Sequence, residues 1–246
     1  MVSRVNRPGA NSDRWRVERI TRTGSTNADL LERARAGEPD GLVLVADHQT
    51  AGRGRLDRRW EAPEGANLLV SLLMRPQLPP TAWHRCTNAV AVAAVEACAT
   101  LGVVVRIKWP NDLLVGTDKL AGILAESLSS ADDAAVVVGL GLNIGWPLAG
   151  EQPGATSLAA RGVHVGRDAL LDAILARVDE CAPDLHERYL ARCSTIGRQV
   201  RVTLPDDTVV EGVARTVDED GRLVVDTADG ERRAFSVGDV VHARPA

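Results

Sequence analysis

Ten residues, Ala51-Gly52-Arg53-Gly54-Arg55-Leu56-Asp57-Arg58-Arg59-Trp60, hold four arginines and two glycines and end on a tryptophan. Four guanidinium groups cannot be buried cheaply, and glycine weakens helices, so the segment reads as a loop. Arginine forks and glycine N–H groups are what a phosphate ligand needs, and Trp60 is placed to stack on a base. The alternative is a solvated surface loop. A Walker A loop is excluded, because GxxxxGK[ST] does not occur, and a dinucleotide fingerprint is likewise missing.

Three further segments carry chemistry-bearing residues. Ser25-Thr26-Asn27 places hydroxyls and N–H groups at a helix start, which is either a plain helix N-terminus or a compact site for polar ligand groups. Lys108-Trp109-Pro110-Asn111-Asp112 brings a cation, an aromatic ring and an amide–carboxylate pair to one turn. Lys119 heads the apolar run Leu120-Ala121-Gly122-Ile123-Leu124-Ala125-Glu126 and reads either as a solvated strand-end charge or as a site lysine. Glycines inside strands, here Gly122, Gly139 and Gly141, mark close approach by backbone or ligand.

The elements that must position these residues follow from periodicity. Apolar runs predict strands over 17–21, 42–46, 67–74, 103–108 and 134–144. A hairpin joins 113–115 to 120–127 through Gly116-Thr117-Asp118. Helical spacing covers 27–36, 81–101 and 167–189, with Thr26 and Asp29 fitting a capping box at the first. The arginine loop thus follows a buried strand, and loops so placed commonly carry function. From 197 onward, short strands over 200–204, 208–217, 222–226, 231–235 and 239–242 alternate with Asp-Gly turns, which suggests a small barrel. The expected organisation is a disordered tail over 1–13, an α+β domain over 14–194 built on a mixed sheet with helices on one face, and a β-domain over 195–246.

Composition narrows the partners. With one Phe, one Tyr and five Trp, the core must be built from Val, Leu, Ile and Ala. A net charge of −4 disfavours a general nucleic-acid binder, so the arginine loop is a local feature suited to a small anion. The four cysteines form no CxxC pair, which excludes zinc-site spacing, and Cys86 and Cys98 fit an apolar helical pattern as small buried hydrophobes. No apolar run reaches about 18 residues and no signal peptide precedes the first strand, so a cytoplasmic protein with reduced thiols and no membrane contact is expected.

Taken in order, the segments resemble the catalytic domain of biotin–protein ligases, the biotin–[acetyl-CoA-carboxylase] ligase family. The matching pieces are Gly24-Ser25-Thr26-Asn27, Gln49-Thr50-Ala51-Gly52-Arg53-Gly54-Arg55 with Arg58 and Trp60, and Gly65-Ala66-Asn67-Leu68. Lys108-Trp109-Pro110-Asn111-Asp112, Lys119-Leu120-Ala121-Gly122-Ile123-Leu124 and Gly139-Leu140-Gly141-Leu142-Asn143 complete them. The resemblance runs from about Trp15 to the C-terminus, where the closing strands are similar to the family's SH3-like domain. Many members continue the loop with Arg-Gly-Arg. This chain has Leu56-Asp57-Arg58, which trims the positive charge, although aspartate tolerates positive φ better than most residues.

The resemblance implies a reaction in which biotin and ATP give biotinyl-5′-AMP and pyrophosphate, and the acyl group then passes to a lysine of a biotin carboxyl carrier domain of an acyl-CoA or pyruvate carboxylase. It places Ser25, Thr26, Asn27, Gln49, Arg53, Gly54, Arg55, Lys119 and Gly122 around biotin. It places Arg53, Arg55, Arg58, Trp60, Lys108, Asn111 and Asn143 around ATP and the adenylate, with Mg²⁺ as counter-ion and no dedicated protein metal site. Lys119, Arg55 and Asp112 are the implied catalytic residues. Lys119 would lie between carboxylate and α-phosphate, and Asp112 would assist the incoming lysine amine. Some members carry an N-terminal winged helix and repress genes. The short segment ahead of Trp15 leads to the expectation of a ligase without DNA binding, acting as a monomer or weak homodimer. A lipoate or octanoate ligase of the same fold, an RNA- or DNA-binding protein using the RGR loop, and a biotin-binding module without activity are the rivals.

Overall fold

The computed structural model describes residues 3–4, 14–56, 58–128, 134–148, 150–204, 206–236 and 239–242. Ser3–Arg4 (β1) pairs antiparallel with Arg19 and Glu18, while the rest of the 1–13 tail, like Asp57, lies outside the described residues. The first sheet adds β2 (Arg16–Thr23), β3 (Leu42–Gln49), β4 (Leu68–Met74), β5 (Arg106–Lys108), β6 (Asp112–Val115), β7 (Asp118–Leu128) and β8 (Ala135–Leu142). Its order is β1-β2-β3-β4-β8-β7-β6-β5. Only β2 and β3 run parallel, with α1 (Thr26–Arg35) as the crossover between them, so the sheet is mixed.

The central strands are apolar on both sides because both sides are covered. On β3, Val43 and Val45 join the large core that includes α2 (His84–Thr100), α3 (Arg167–Leu175) and α4 (Leu185–Arg192), whereas Leu42 and Leu44 join a second cluster with Leu30, Leu31 and Ala34 of α1. Three helices therefore share one face as expected, and α1 lies on the other. The face of α1 was not readable from β3, since an uninterrupted apolar strand gives no alternation. In α2, Ala89, Ala91, Ala93, Ala94 and Ala97 are all buried, and their small side chains let the helix settle close to the sheet.

Several boundaries differ from the sequence pattern. The helix expected over 81–101 opens with a 3₁₀ turn, Pro80–Ala82, and regular α-helix begins at His84. The strand expected over 103–108 pairs only at Arg106–Lys108. The helix expected over 167–189 is two helices, α3 and α4. Pro183 lacks the N–H a continuing helix would need. The carbonyls of Glu180 and Ala182 are taken instead by Arg85, at 2.9 and 2.8 Å, and the Glu180 carboxylate accepts two hydrogen bonds from Arg14.

The C-terminal strands β9 (Gln199–Thr203), β10 (Val209–Val217), β11 (Leu223–Thr227), β12 (Arg232–Phe235) and β13 (Asp239–His242) form an antiparallel sheet in the order β12-β11-β10-β9-β13. Five short antiparallel strands in this order are consistent with the small SH3-like domain expected, although among the described residues no pairing joins β12 to β13. Trp109 ties this sheet to the first: its Nε1–H donates to the Gly221 carbonyl and its backbone N–H to Thr195 Oγ1, both at 3.0 Å. No described helix is long and apolar enough to cross a membrane.

Candidate active site

The α1 face of the sheet is only partly covered by α1. Beyond the helix N-terminus the residues on that face become small or polar: Ser71 on β4, Gly139 and Gly141 on β8, Gly122 on β7. They are adjacent by register, with Gly139 opposite Ser71 and Leu124, and Gly141 opposite Gly122. A cavity of about 320 Å³ opens above this floor, within the range typical of small-molecule sites.

Its inner wall is the start of α1. Ser25 is the N-cap residue but makes no side-chain cap hydrogen bond, which leaves its hydroxyl to the cavity it lines. The expected capping box is absent. Thr26 is already helical, and Asp29 accepts a hydrogen bond from Thr23 Oγ1 at 2.6 Å instead. The hydroxyl of Thr26 turns toward the sheet, 2.7 Å from Ser71 Oγ and 3.0 Å from Gln49 Oε1, and its backbone N–H donates to the same Gln49 oxygen at 2.8 Å. Ser71 Oγ donates to Asn27 Oδ1 at 2.6 Å, so its one proton is committed, and the single proton of Thr26 Oγ1 is the one shared between Ser71 Oγ and Gln49 Oε1. Asn27 Nδ2 donates to the Leu124 carbonyl at 3.0 Å and to Glu126 Oε2 at 2.9 Å. Every hydrogen-bonding capacity of this 4 % exposed amide except one oxygen lone pair is thereby used, which fixes its orientation. Gly139 permits it: a Cβ there would stand 2.3 Å from Asn27 Oδ1.

The arginine loop forms the outer wall. It closes on itself through Gly54 N–H to the Arg58 carbonyl at 2.7 Å and Trp60 N–H to the Gly52 carbonyl at 3.0 Å, with Leu56 at φ 53° near its tip. It is pinned to the sheet at two places. Arg53 pairs with Glu126 at 2.7 Å, and Arg55 donates to Asn111 Oδ1 at 3.3 Å. Trp60 lies across the glycine floor. An added Cβ at Gly141 would fall 2.5 Å from its indole Cε2, and one at Gly122 would fall 3.0 Å from Cζ3. The buried indole Nε1–H has no hydrogen-bond partner among the described residues.

The third wall is Lys119, whose ammonium sits 2.6 Å from Asp112 Oδ1 and 5.6 Å from the centre of the Trp60 ring. Asp112 is opposite Gly122 across the β6–β7 pair, and a register shift between Leu113 and Leu114 brings Lys119 round to the same end. The segment after β8 hooks back to hold Lys119, accepting from its N–H at the Gly154 carbonyl and donating from Thr156 to its carbonyl. One cation held by one carboxylate, beside an arginine-rich cover and a fixed amide, can gather two anionic groups and neutralise charge between them.

Of the residues nominated from sequence, Ser25, Thr26, Asn27, Gln49, Arg53, Gly54, Arg55, Arg58, Trp60, Asn111, Asp112, Lys119, Gly122 and Asn143 line this cavity. Lys108 does not; it is half-buried on β5, opposite Asp112 in register but outside the wall. Asn143 lines the cavity with its amide already engaged, donating to the Thr156 carbonyl and accepting from Asn67 Nδ2. The sequence reading missed Ser71, Glu126 and Gln152. Ser71 had a signal, a lone hydroxyl in the apolar run Leu-Leu-Val-Ser-Leu-Leu-Met, whereas Gln152 reaches the wall only because its segment folds back on Lys119.

A model of the biotin/lipoate A/B protein ligase family matches residues 18–143, and a model of the biotin protein ligase C-terminal domain matches residues 195–243. The chain is 40% identical to a biotin--[acetyl-CoA-carboxylase] ligase of Mycobacterium tuberculosis over 250 residues, covering 96% of this chain and 92% of that one. Among solved structures, biotin protein ligase from Aquifex aeolicus in complex with biotin and ATP superposes with a TM-score of 0.77. At 24% identity, covering 93% and 99% of the two chains, it is a likeness of fold. Biotin protein ligase from Leishmania major in complex with biotinyl-5-AMP is 25% identical, with a TM-score of 0.57 and coverage of 90% and 98%.

Proposed function

Because the chain belongs to the biotin protein ligase family and is a ligase, we propose that it joins biotin to ATP and hands the biotinyl group to a lysine of a biotin carboxyl carrier domain. In the first step a biotin carboxylate oxygen attacks the α-phosphorus and pyrophosphate leaves, giving biotinyl-5′-AMP. In the second, the acceptor's lysine amine attacks the acyl carbon and AMP departs with its phosphate oxygen. The observation that carries this reading is the junction of three walls at one cavity: the fixed amide and hydroxyls of α1, the arginine cover, and the Lys119–Asp112 pair.

Each wall suits one part of the reaction. A ureido ring offers both donors and acceptors, and leaving such groups unpaired costs about 1–3 kcal/mol each. Ser25 offers a hydroxyl and Gln49 an amide whose oxygen is already anchored by Thr26, so its NH₂ is oriented to donate. Two anions, a carboxylate and a triphosphate, must be brought into contact, and Lys119 with Arg53, Arg55 and Arg58 supplies the charge. Asp112 holds the Lys119 ammonium in place, which we assign as its first role, ahead of any part in accepting the amine proton.

Mg²⁺ fits this site only as a companion of the nucleotide. Among the described residues no group of three His, Cys, Asp or Glu could hold a metal, and Asp112 and Glu126 are committed to Lys119 and Arg53. The ion would be carried by the phosphates and water, and no step is assigned to it. DNA binding is no part of the proposal, in keeping with the net charge of −4.

Pyrophosphate exchange into ATP tests the reading. Exchange that depends on biotin and not on lipoate supports it; exchange driven by lipoate alone, or binding of biotin with no exchange, would replace it with the rival of the same fold or with a passive binding module.

A further inference from the structure

Glu126 has a place in this site that the arginines and lysine do not explain. It ends the apolar run of β7 on the same strand face as Gly122 and Leu124, beyond the last pairing of β6 with that strand. A carboxylate there has the ordinary reading of a strand-end charge. Yet a single oxygen, Oε2, accepts from two side chains that arrive from distant parts of the chain, Asn27 Nδ2 at 2.9 Å and Arg53 NH2 at 2.7 Å. Both of those residues line the cavity, and Glu126 itself stands behind them.

We propose that Glu126 is a positioning residue that latches the arginine loop to the fixed amide at the head of α1, so that the order of the loop depends on one carboxylate oxygen that Asn27 holds in place. The two contacts differ in kind. Asn27 is almost wholly buried, its amide also held by Ser71 and Leu124, so the carboxylate end near it is immobile. The Arg53 side chain is 43% exposed and belongs to a loop, so it is the partner that can leave. The charge-assisted bond from guanidinium to carboxylate is the stronger type, and it is made to a preorganised acceptor. A second contact, Arg55 to Asn111 in the turn ahead of β6, fastens the loop at another point, with Trp60 against the glycine floor. An anionic occupant that draws Arg53 toward itself competes with Glu126 for the same guanidinium, which makes the latch a gate as well as a fastening. The consequence for adenylate retention rests on the ligase reading; the latch itself rests on the contacts alone.

The loop's own arginines provide the assay. Trypsin cleavage after Arg55, Arg58 and Arg59 in the full chain without ligand, followed by mass spectrometry, reads opening directly. Glu126→Gln keeps the size of the side chain and an oxygen for Asn27 but removes the charge that Arg53 meets. Cleavage of the loop should quicken roughly two- to fivefold, the range for losing one partly exposed ion pair, with the unfolding midpoint unchanged. In an Arg53→Gln background the same substitution should add nothing. Equal cleavage of wild type and Glu126→Gln overturns the latch, as does an undiminished effect of Glu126→Gln when Arg53 is already gone. Release of biotinyl-AMP should quicken by the same factor. If the wild-type chain forms no adenylate, the ligase reading fails while the cleavage arms still decide the latch.

Discussion

Two glycines, two residues apart on β8, should respond unequally to the same added methyl group. At Gly139 the new Cβ would lie 2.3 Å from Asn27 Oδ1, 3.0 Å from its Cγ and 3.2 Å from its Nδ2. Carbon contacts settle near 3.5 Å, so the amide must retreat by roughly 1 Å. It cannot do so freely, because Ser71, the Leu124 carbonyl and Glu126 hold it on three sides. Overpacking a tight site costs about 1–3 kcal/mol, and one buried hydrogen bond lost adds about 0.5–1.5 kcal/mol. A central value of about 3 kcal/mol lowers the midpoint of a chain this long by roughly 6–12 °C. At Gly141 the new Cβ would meet the Trp60 indole at 2.5 Å, but that ring belongs to a loop that can lift. Gly141→Ala should therefore keep a midpoint within roughly 3 °C of wild type, a change of about 1 kcal/mol, while trypsin cuts the arginine loop faster. Calorimetric unfolding and limited proteolysis of the two variants check this. A Gly139→Ala midpoint indistinguishable from wild type, or equal destabilisation by both, would refute the distinction between a pinned amide and a movable ring.

Other consequences can be read with simple assays. Lys119→Ala should abolish biotin-dependent pyrophosphate exchange with the unfolding midpoint nearly unchanged, because the pair with Asp112 is partly exposed and such pairs add about 0–1 kcal/mol; normal exchange in the variant would remove Lys119 from the reaction. Burial pushes the thiols of Cys86 and Cys98 up to about 12 and raises Cys193 as well, while Cys181 is exposed. An aromatic disulfide reagent near neutral pH should therefore label one thiol quickly in the native chain and four after denaturation. Desolvation lowers the His84 pKa from 6.5, outweighing the backbone bond to Thr81, with Arg85 adding to the fall. The folded chain then refuses a proton that the unfolded chain takes, so stability from this site is complete above 6.5 and is lost as pH falls below it. Between pH 7 and pH 5 the wild-type midpoint should drop further than that of His84→Gln; parallel profiles would show that His84 contributes nothing.

The site was more legible than the fold that holds it, and the reason is local. Arg53, Arg55, Lys119 and Asp112 are residues whose chemistry is announced by type, and the loop signal of alternating glycine needs no tertiary information. Gly122, Gly139 and Gly141 were also readable as places of close approach, since an interior strand glycine gives up packing for space. What approaches them was not readable. Asn27 reaches Gly139 from 112 positions earlier in the chain, and Trp60 reaches Gly141 from 81 positions earlier, by the register of β4, β8 and β7. The same limit explains α1. Its apolar stripe at Leu30, Leu31 and Ala34 was plain, but strands apolar on both sides do not say which face receives a helix. The split of the 167–189 helix had a local signal in Pro183 that apolar spacing overrode, and its full cause is non-local, because Arg85 takes the carbonyls of Glu180 and Ala182 that a broken helix exposes, while Arg14 holds the Glu180 carboxylate.

A physical rule connects these cases. On β8 the residues facing α1 run Ala135, Val137, Gly139, Gly141, losing their side chains from Gly139 on, while the opposite face stays Val136, Val138, Leu140, Leu142. One face of a strand is a core to its end, and the other changes from core to cavity floor at Gly139. That asymmetry is present in the sequence as a change in only the odd-numbered positions. Combined with a lone Ser71 across the register on β4, it marks where the sheet stops serving stability and starts serving the cavity. Residue types near that point, Glu126 among them, are then better judged by what the open face would bring to them than by the strand in which they stand.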